Sequence, residues 1–198
     1  PAASFVIDKL SIDPFALHNG ELVALAGEGR FSKPKRQPAP RPQQRIGKML
    51  HPQSIGIIGV SGSKMNFGRI ILKNILASGY PKEQITIIRP NESEIDGVKC
   101  VQSLGTLEQK LDLFVVAIAA DAVFDLVDEV IATDAAESVM LIPGGLGETA
   151  ASREKAAAMM ERMNQAHRKE DSGPIFLGGN CLGIVSHPGG YDTWFIPK

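Results

Sequence analysis

The chain has 198 residues with a formal net charge of −1, and its 43% apolar and 22% charged content suits one good globular domain plus a smaller piece. That balance gives no electrostatic case for a nucleic-acid partner or a membrane surface. No apolar run approaches the roughly 20 residues of a bilayer span, and no signal-peptide pattern opens the sequence. Cys100 and Cys181, the two cysteines, lack metal-ligand spacing and read as reduced thiols of a cytoplasmic protein.

The first predicted element is a β-hairpin within residues 1–31. Ser4 to Leu10 and Glu21 to Leu25 flank His18-Asn19-Gly20, and Asn-Gly is a strong hairpin turn. Such a hairpin carries too little apolar surface to stand alone. Residues 32–47 read as a linker: Ser32 to Arg45 holds four prolines and five cations, a composition that favours extended, solvated chain over a basic recognition segment. The third region, 48–198, alternates regularly. Strands are predicted at Ser54–Gly59, Gln84–Arg89, Leu111–Ala119, Ser138–Ile142 and Pro174–Leu177. Helices are predicted at Asn66–Ser78, Asp121–Thr133 and Ala150–Arg168, with a short helical turn in Ser103–Lys110. This alternation predicts an α/β fold, a doubly wound parallel sheet with helices on both faces. The chain opens on Pro1 within a predicted strand and stops just after the apolar run Trp194 to Ile196, as expected of a piece of a longer polypeptide.

Ligands of doubly wound sheets sit beyond the carboxyl ends of the strands, so the loops there are the candidates. The first, Gly59 to Gly68, joins strand to helix, the geometry that offers backbone N–H groups to phosphate. Gly59 supplies the tight turn, Gly62 permits close approach, and Ser61 and Ser63 add hydroxyl donors. The pattern is not GxGxxG, because Ser61 stands where a glycine is wanted. After the second strand, Arg89 replaces the acidic residue of a nicotinamide site and suits an extra ribose phosphate, as in NADP or coenzyme A; a surface arginine beside a turn proline is the plainer reading. Small residues at Ala117 and Ala119 follow the third strand, and Pro143-Gly144-Gly145-Leu146-Gly147 follows the fourth. Gly178-Gly179-Asn180-Cys181-Leu182-Gly183 follows the fifth. Methionines 159, 160 and 163 lie at helical spacing and read as core filler, with a homo-oligomer interface as the alternative.

These motifs carry a resemblance. HPQSIGIIGVSGS, RPN followed by GVKC and SL, DLFVVAIAADAV, IPGGLGET and GGNCLGI stand in the order found in the CoA-binding domain of NDP-forming acyl-CoA synthetases, relatives of the succinyl-CoA synthetase α-subunit. The resemblance runs from about Leu50 to Pro197. It implies that Ser61, Gly62, Ser63 and Lys64 line the CoA phosphates, that Arg89, Pro90 and Asn91 lie at the adenosine end, and that Ala117, Ala119, Pro143 and Gly144 border the pantetheine arm. Asn180 and Cys181 would approach the thiol, Cys181 in a positioning rather than a nucleophilic role. The family's NPK reads Arg89-Pro90-Asn91 here, and its GPNC reads Gly178-Gly179-Asn180-Cys181.

The hairpin LSIDPFALHNGELVALAG resembles the closing hairpin of an ATP-grasp domain from the synthetase β-subunit, with Asp13 at a magnesium-binding Asn position and Ala26 near the second ligand position. The resemblance thus implies a fused polypeptide that interconverts acyl-CoA, nucleoside diphosphate and phosphate with a carboxylate, CoA and nucleoside triphosphate. ATP or ADP and magnesium would serve the intact protein, and the remaining ATP-grasp and ligase domains would be its partners. The family's reaction passes through a phosphohistidine of the following domain; His18, His51, His167 and His187 lack that context, so no catalytic residue is expected within these 198 residues. Two rival readings remain open from sequence: an NAD(P)-binding module of a dehydrogenase or redox sensor, and a non-catalytic CoA-sensing domain.

Overall fold

The computed structural model describes residues 5–33, 41–169 and 173–196. They belong to two compact units, 1–38 and 39–198. The first is built from β1 (Val6–Ile12), β2 (Phe15–His18), β3 (Glu21–Ala24) and β4 (Gly27–Ser32). Asn19 and Gly20 turn β2 into β3 with φ of 51° and 83°, the left-handed pair that a tight hairpin requires. The outer pairing differs from the expectation. β1 pairs with β4, not with residues 21–25, because β3 is taken up by β2. Gly27 and Gly29 dilute the alternation of β4, which is why its pattern does not announce a strand. Between the two ladders the Asp13 N–H donates to the Ala26 carbonyl at 3.1 Å and the Leu25 N–H to the Pro14 carbonyl at 2.9 Å, so positions 13 and 26 face each other across the hairpin.

Of the stretch read as a linker, residues 34–40 lie outside the described residues. Its end is ordered chain: a 3-10 turn over Gln43–Arg45 leads into α1 (Ile46–Leu50), which buries Met49, and Arg45 pairs with Glu137 at 2.7 Å. The helix therefore begins inside 32–47, where no proline follows Pro42 to prevent it.

The second unit continues with β5 (Ile55–Ile58), α2 (Phe67–Ala77), β6 (Ile85–Ile88), β7 (Glu94–Ile95), β8 (Val98–Val101), β9 (Leu111–Val116), α3 (Ala120–Thr133), β10 (Ala136–Leu141), α4 (Arg153–His167), β11 (Ile175–Gly178), β12 (Val185–Ser186) and β13 (Tyr191–Asp192). Seven strands form one sheet in the order β11-β10-β9-β5-β6-β8-β7, parallel except for β7. This is the doubly wound sheet expected. The hairpin β7–β8 is an addition, turned by Asp96 and Gly97 at φ of 53° and 81°, and its Asp-Gly signal was present in the sequence. Every residue of β9 is buried, as in a strand covered on both faces. Ile55, Ile57, Ile85 and Ile87 meet Ile71, Leu72 and Ile75 of α2 on one face. Leu111, Phe114 and Val116 meet Val123, Phe124 and Val127 of α3 and Met159 of α4 on the other. Met159 and Ala166 are thus core, while Met160 is exposed. Wrapping α2 and α3 onto opposite faces makes β5/β9 the point where the strand order reverses, and the crevice lies at their carboxyl ends. Among the described residues no helix is long and apolar enough to cross a membrane.

The closing segment is fastened by side chains to main chain. Tyr191 donates its hydroxyl to the Met49 carbonyl at 2.6 Å, Tyr80 to the Pro52 carbonyl at 2.9 Å, and Asn74 its amide to the Trp194 carbonyl at 2.6 Å. Burial, with the Asp112 charge adding to it, pushes the Tyr80 phenol up to about 12. Burial, with Tyr80 adding to it, pushes Tyr191 up as well. Both phenols ionise near pH 10 in the unfolded chain, so above that pH the unfolded state loses protons that the folded state keeps. Their contribution is whole below pH 10 and is lost as pH rises through the folded values. Urea midpoints are expected to be flat from pH 7 to 9 and to fall above pH 10. The double variant Tyr80→Phe, Tyr191→Phe is expected to start lower and fall less steeply.

Candidate functional site

The site grows out of the β5–α2 turn. Gly59 has φ of +97°, and a Cβ there would overlap the Ala117 carbonyl, whose carbon would stand 2.6 Å away. A Cβ on Gly68 would lie 2.5 Å from the Gly59 carbonyl oxygen. These two glycines let the loop, the end of β9 and the first turn of α2 stack without side chains between them. Asn66 caps α2 and ties it to the loop. Its Oδ1 accepts from the Arg69 N–H at 3.0 Å and from the Ser61 N–H at 3.3 Å, and its amide donates to the Gly59 carbonyl at 2.7 Å. Ser61 Oγ accepts from the Lys64 N–H at 3.0 Å and the Ser63 N–H at 3.4 Å. Those two amides are therefore partly committed to folding the loop. The N–H groups of Phe67 and Gly68 lie in the first turn of α2, where the helix itself supplies no acceptor. Ser63 and Lys64 are exposed.

Arg89 ends β6 with its guanidinium turned back to the loop. Its Nε donates to Glu92 Oε1 at 2.7 Å and its Nη1 to the Val60 carbonyl at 3.0 Å. The Asn91 N–H donates to Gln102 Oε1 at 3.2 Å, with Asn91 at φ of 66°. Beside Pro90 a cleft of about 320 Å³ opens against Val60, Ile88, Leu104 and Leu126, with Arg89, Gln102, Ser103 and Glu129 as its polar lining.

Across the Gly59–Ala117 contact lies a second cleft of about 400 Å³, lined by Phe67, Ala117, Ala119, Pro143, Gly144 and Asn180, with Phe195 at its wall. The rings of Phe67 and Phe195 stand 4.8 Å apart at 49°. The Asn180 N–H donates to the Pro143 carbonyl at 2.8 Å, and Asn180 Oδ1 packs beside Gly144, where a Cβ would approach it to 3.2 Å. Cys181 is not part of this lining. Its thiol turns inward to the Leu141 carbonyl at 3.4 Å, and burial pushes it up, which keeps it protonated. The structure thus gathers the residues after five strand ends, those of β5, β6, β9, β10 and β11, at one edge, with Cys181 behind them.

Sequence reasoning missed Asn66, Gln102, Glu129, Phe67 and Phe195. Asn66 carried a legible signal, an N-cap residue just ahead of an apolar helix; Phe195 carried none, since its partner lies far away in the chain. A larger cleft of about 480 Å³ opens at the amino ends of β5, β6 and β9, beside the Lys99–Glu108 pair. It is away from the strand ends at which such sheets bind ligands. In the first unit Asp13 is exposed and faces Ala26, which has no ligand atom in its side chain. Among the described residues no group of three His, Cys, Asp or Glu side chains could hold a metal.

Comparison with known proteins agrees with this geometry. Residues 53–187 match the family described as CoA binding domain. The chain is 26% identical over 161 residues to a trans-feruloyl-CoA synthase of an unknown prokaryotic organism, covering 81% of this chain and 20% of that protein. It is 25% identical over 147 residues to the alpha subunit of ADP-forming acetate–CoA ligase II from Pyrococcus furiosus, covering 74% of this chain and 30% of the subunit. Among solved structures it superposes with a TM-score of 0.67 and 25% identity on acetyl-coenzyme A synthetase 1 of Ca. Korarchaeum cryptofilum in complex with phosphate and ADP, covering 77% of this chain and 31% of the other. The chain spans under a third of each of these relatives. A glycine loop at the switch point, a cleft on each side of it and a family match over the same residues lead to one conclusion: the chain belongs to the CoA-binding domain family.

Proposed function

We propose that this chain binds coenzyme A along the carboxyl edge of its sheet, as the CoA-binding domain of a fused, NDP-forming acyl-CoA synthetase. The observation that carries the reading is the pair of clefts on either side of the β5–α2 loop. CoA has the matching order: a nucleoside, a pyrophosphate and a thin apolar arm. In this reading the pyrophosphate lies over Ser61, Gly62, Ser63 and Lys64 and the first turn of α2. Arg89, Pro90 and Asn91 flank the adenosine, and the arm runs past Ala117, Ala119, Pro143 and Gly144 towards Asn180. Small residues suit that arm because Gly144 has no Cβ and Ala117 and Ala119 carry nothing beyond one, so no long side chain narrows the cleft.

The parent would interconvert acyl-CoA, nucleoside diphosphate and phosphate with carboxylate, CoA and nucleoside triphosphate. The relatives named as CoA ligases and synthases support this reaction class. These residues bind and orient, and the chemical steps belong to other domains, so the piece alone is expected to bind CoA without turnover. The hairpin within residues 1–31 is assigned to the ATP-grasp part of such a parent. Asp13 opposite Ala26 does not amount to a magnesium site, and no step is ascribed to metal there.

Isothermal calorimetry tests the reading. Saturable one-site binding of CoA is expected, with NADH and NADPH at least about tenfold weaker, a step of ~1.4 kcal/mol. Binding of either nicotinamide nucleotide in preference to CoA overturns it in favour of a dehydrogenase module.

A further inference from the structure

Both arginines at the glycine loop already hold a carboxylate. Arg69 pairs with Asp96 at 2.6 Å and gives Nη1 to the carbonyls of Ser61 and Gly62 at 2.8 and 2.7 Å, so its charge serves to staple the loop. Arg89 is bound on one side to Val60 and on the other to Glu92. Glu92 does more than neutralise it. Both of its carboxylate oxygens lie 2.5 Å from the point that a Cβ on Gly62 would occupy, so the group rests directly on the bare glycine. The left-handed turn at Asn91 brings it back there from the end of β6. An anion built into the protein thus stands between Arg89 and the phosphate loop.

In a doubly wound sheet this strand end faces the ribose of the bound nucleotide. A carboxylate accepts hydrogen bonds from ribose hydroxyls. Towards a phosphate on the same ribose it behaves in the opposite way: like charges a few ångströms apart repel, and the phosphate must take Arg89 from a partner already in contact. We infer that Glu92 sets the ribose specificity of this site, cancelling the advantage of the 3′-phosphate, so that CoA and dephospho-CoA are accepted alike. The inference rests on the CoA reading above and deepens it. It also inverts the simple expectation from Arg89, that a cation at this strand end selects for the extra phosphate.

The test is calorimetry at one ionic strength with CoA and dephospho-CoA as the two probes. In the unaltered chain their dissociation constants are expected to agree within about threefold. Glu92→Gln keeps the shape and an acceptor oxygen for Arg89 but removes the charge. It is expected to shift the ratio about tenfold towards CoA, the scale of one charge-assisted hydrogen bond. In the double variant Glu92→Gln, Arg89→Ala that shift is expected to disappear, because the phosphate then has no cation to claim. A preference of tenfold or more for CoA in the unaltered chain overturns the inference. So does a ratio that Glu92→Gln leaves unchanged while both ligands still bind. If neither ligand binds the unaltered chain, the CoA reading itself fails, an outcome distinct from a CoA-binding protein with an unmoved ratio.

Discussion

Gly59→Ala is expected to cost the second unit about 4 kcal/mol or more, a large share of the ~5–15 kcal/mol that holds an ordinary domain together. Two separate penalties combine. At φ of +97° an L-residue is strained whatever surrounds it, a cost of roughly 1–2 kcal/mol. The added methyl would also overlap the Ala117 carbonyl, which is main chain at the end of a central strand and has no rotamer through which to retreat. Gly79 separates the two effects. Its φ is +85° and nothing lies within 4 Å of a Cβ there, so Gly79→Ala should show strain alone, about 1–2 kcal/mol. Urea unfolding of the two variants against the unaltered chain measures the difference. Equal losses would mean that close approach to β9 does not constrain Gly59.

Asn66→Ala is expected to lower stability by about 2–3 kcal/mol, from one helix cap and two further hydrogen bonds, and to weaken CoA binding at least about tenfold. The side chain joins three parts of the proposed CoA site: the start of α2, the Ser61 amide and the Gly59 carbonyl. Without it the loop is free to move, and the ligand must then supply the ordering that Asn66 supplies in advance. Asn66→Asp divides the roles. It retains the cap through Oδ1 but sets a carboxylate oxygen where an amide donated to the Gly59 carbonyl, and it adds negative charge beside the phosphate loop. Its stability should fall less than that of Asn66→Ala while its CoA affinity falls as far or further. Parallel losses in both variants for both properties would reduce Asn66 to an ordinary cap.

The parts of the molecule legible in sequence are those specified over short distances. Ser54 to Gly79 announces strand, turn and helix through β-branched residues, small residues and apolar spacing in succession, and the structure has β5, the loop and α2 there. Asn19-Gly20 and Asp96-Gly97 mark hairpins because both residues of such a turn must adopt positive φ. Alternation from β5 to β11 requires a parallel sheet, since each helix returns the chain to the same end, and that brings the strand-end loops to one edge. Other elements were hidden for equally physical reasons. β4 has two glycines in place of alternating side chains, and α1 starts directly behind a proline-rich run whose composition masks it.

Residue chemistry and spacing were therefore sufficient for the doubly wound class, for the edge at which the strand-end loops gather and for the glycine loop, because each depends on neighbours in the chain. Which side chains confront each other was decided only by packing. Arg89, read as suited to an extra ribose phosphate or as a surface arginine, became half of an ion pair whose carboxylate, Glu92, rests on Gly62. Cys181 read as approaching the ligand turned inward to Leu141, and Phe67 met Phe195 from the far end of the chain. Contacts of this kind depend on the direction of each side chain after the sheet has formed, a property that no local pattern encodes.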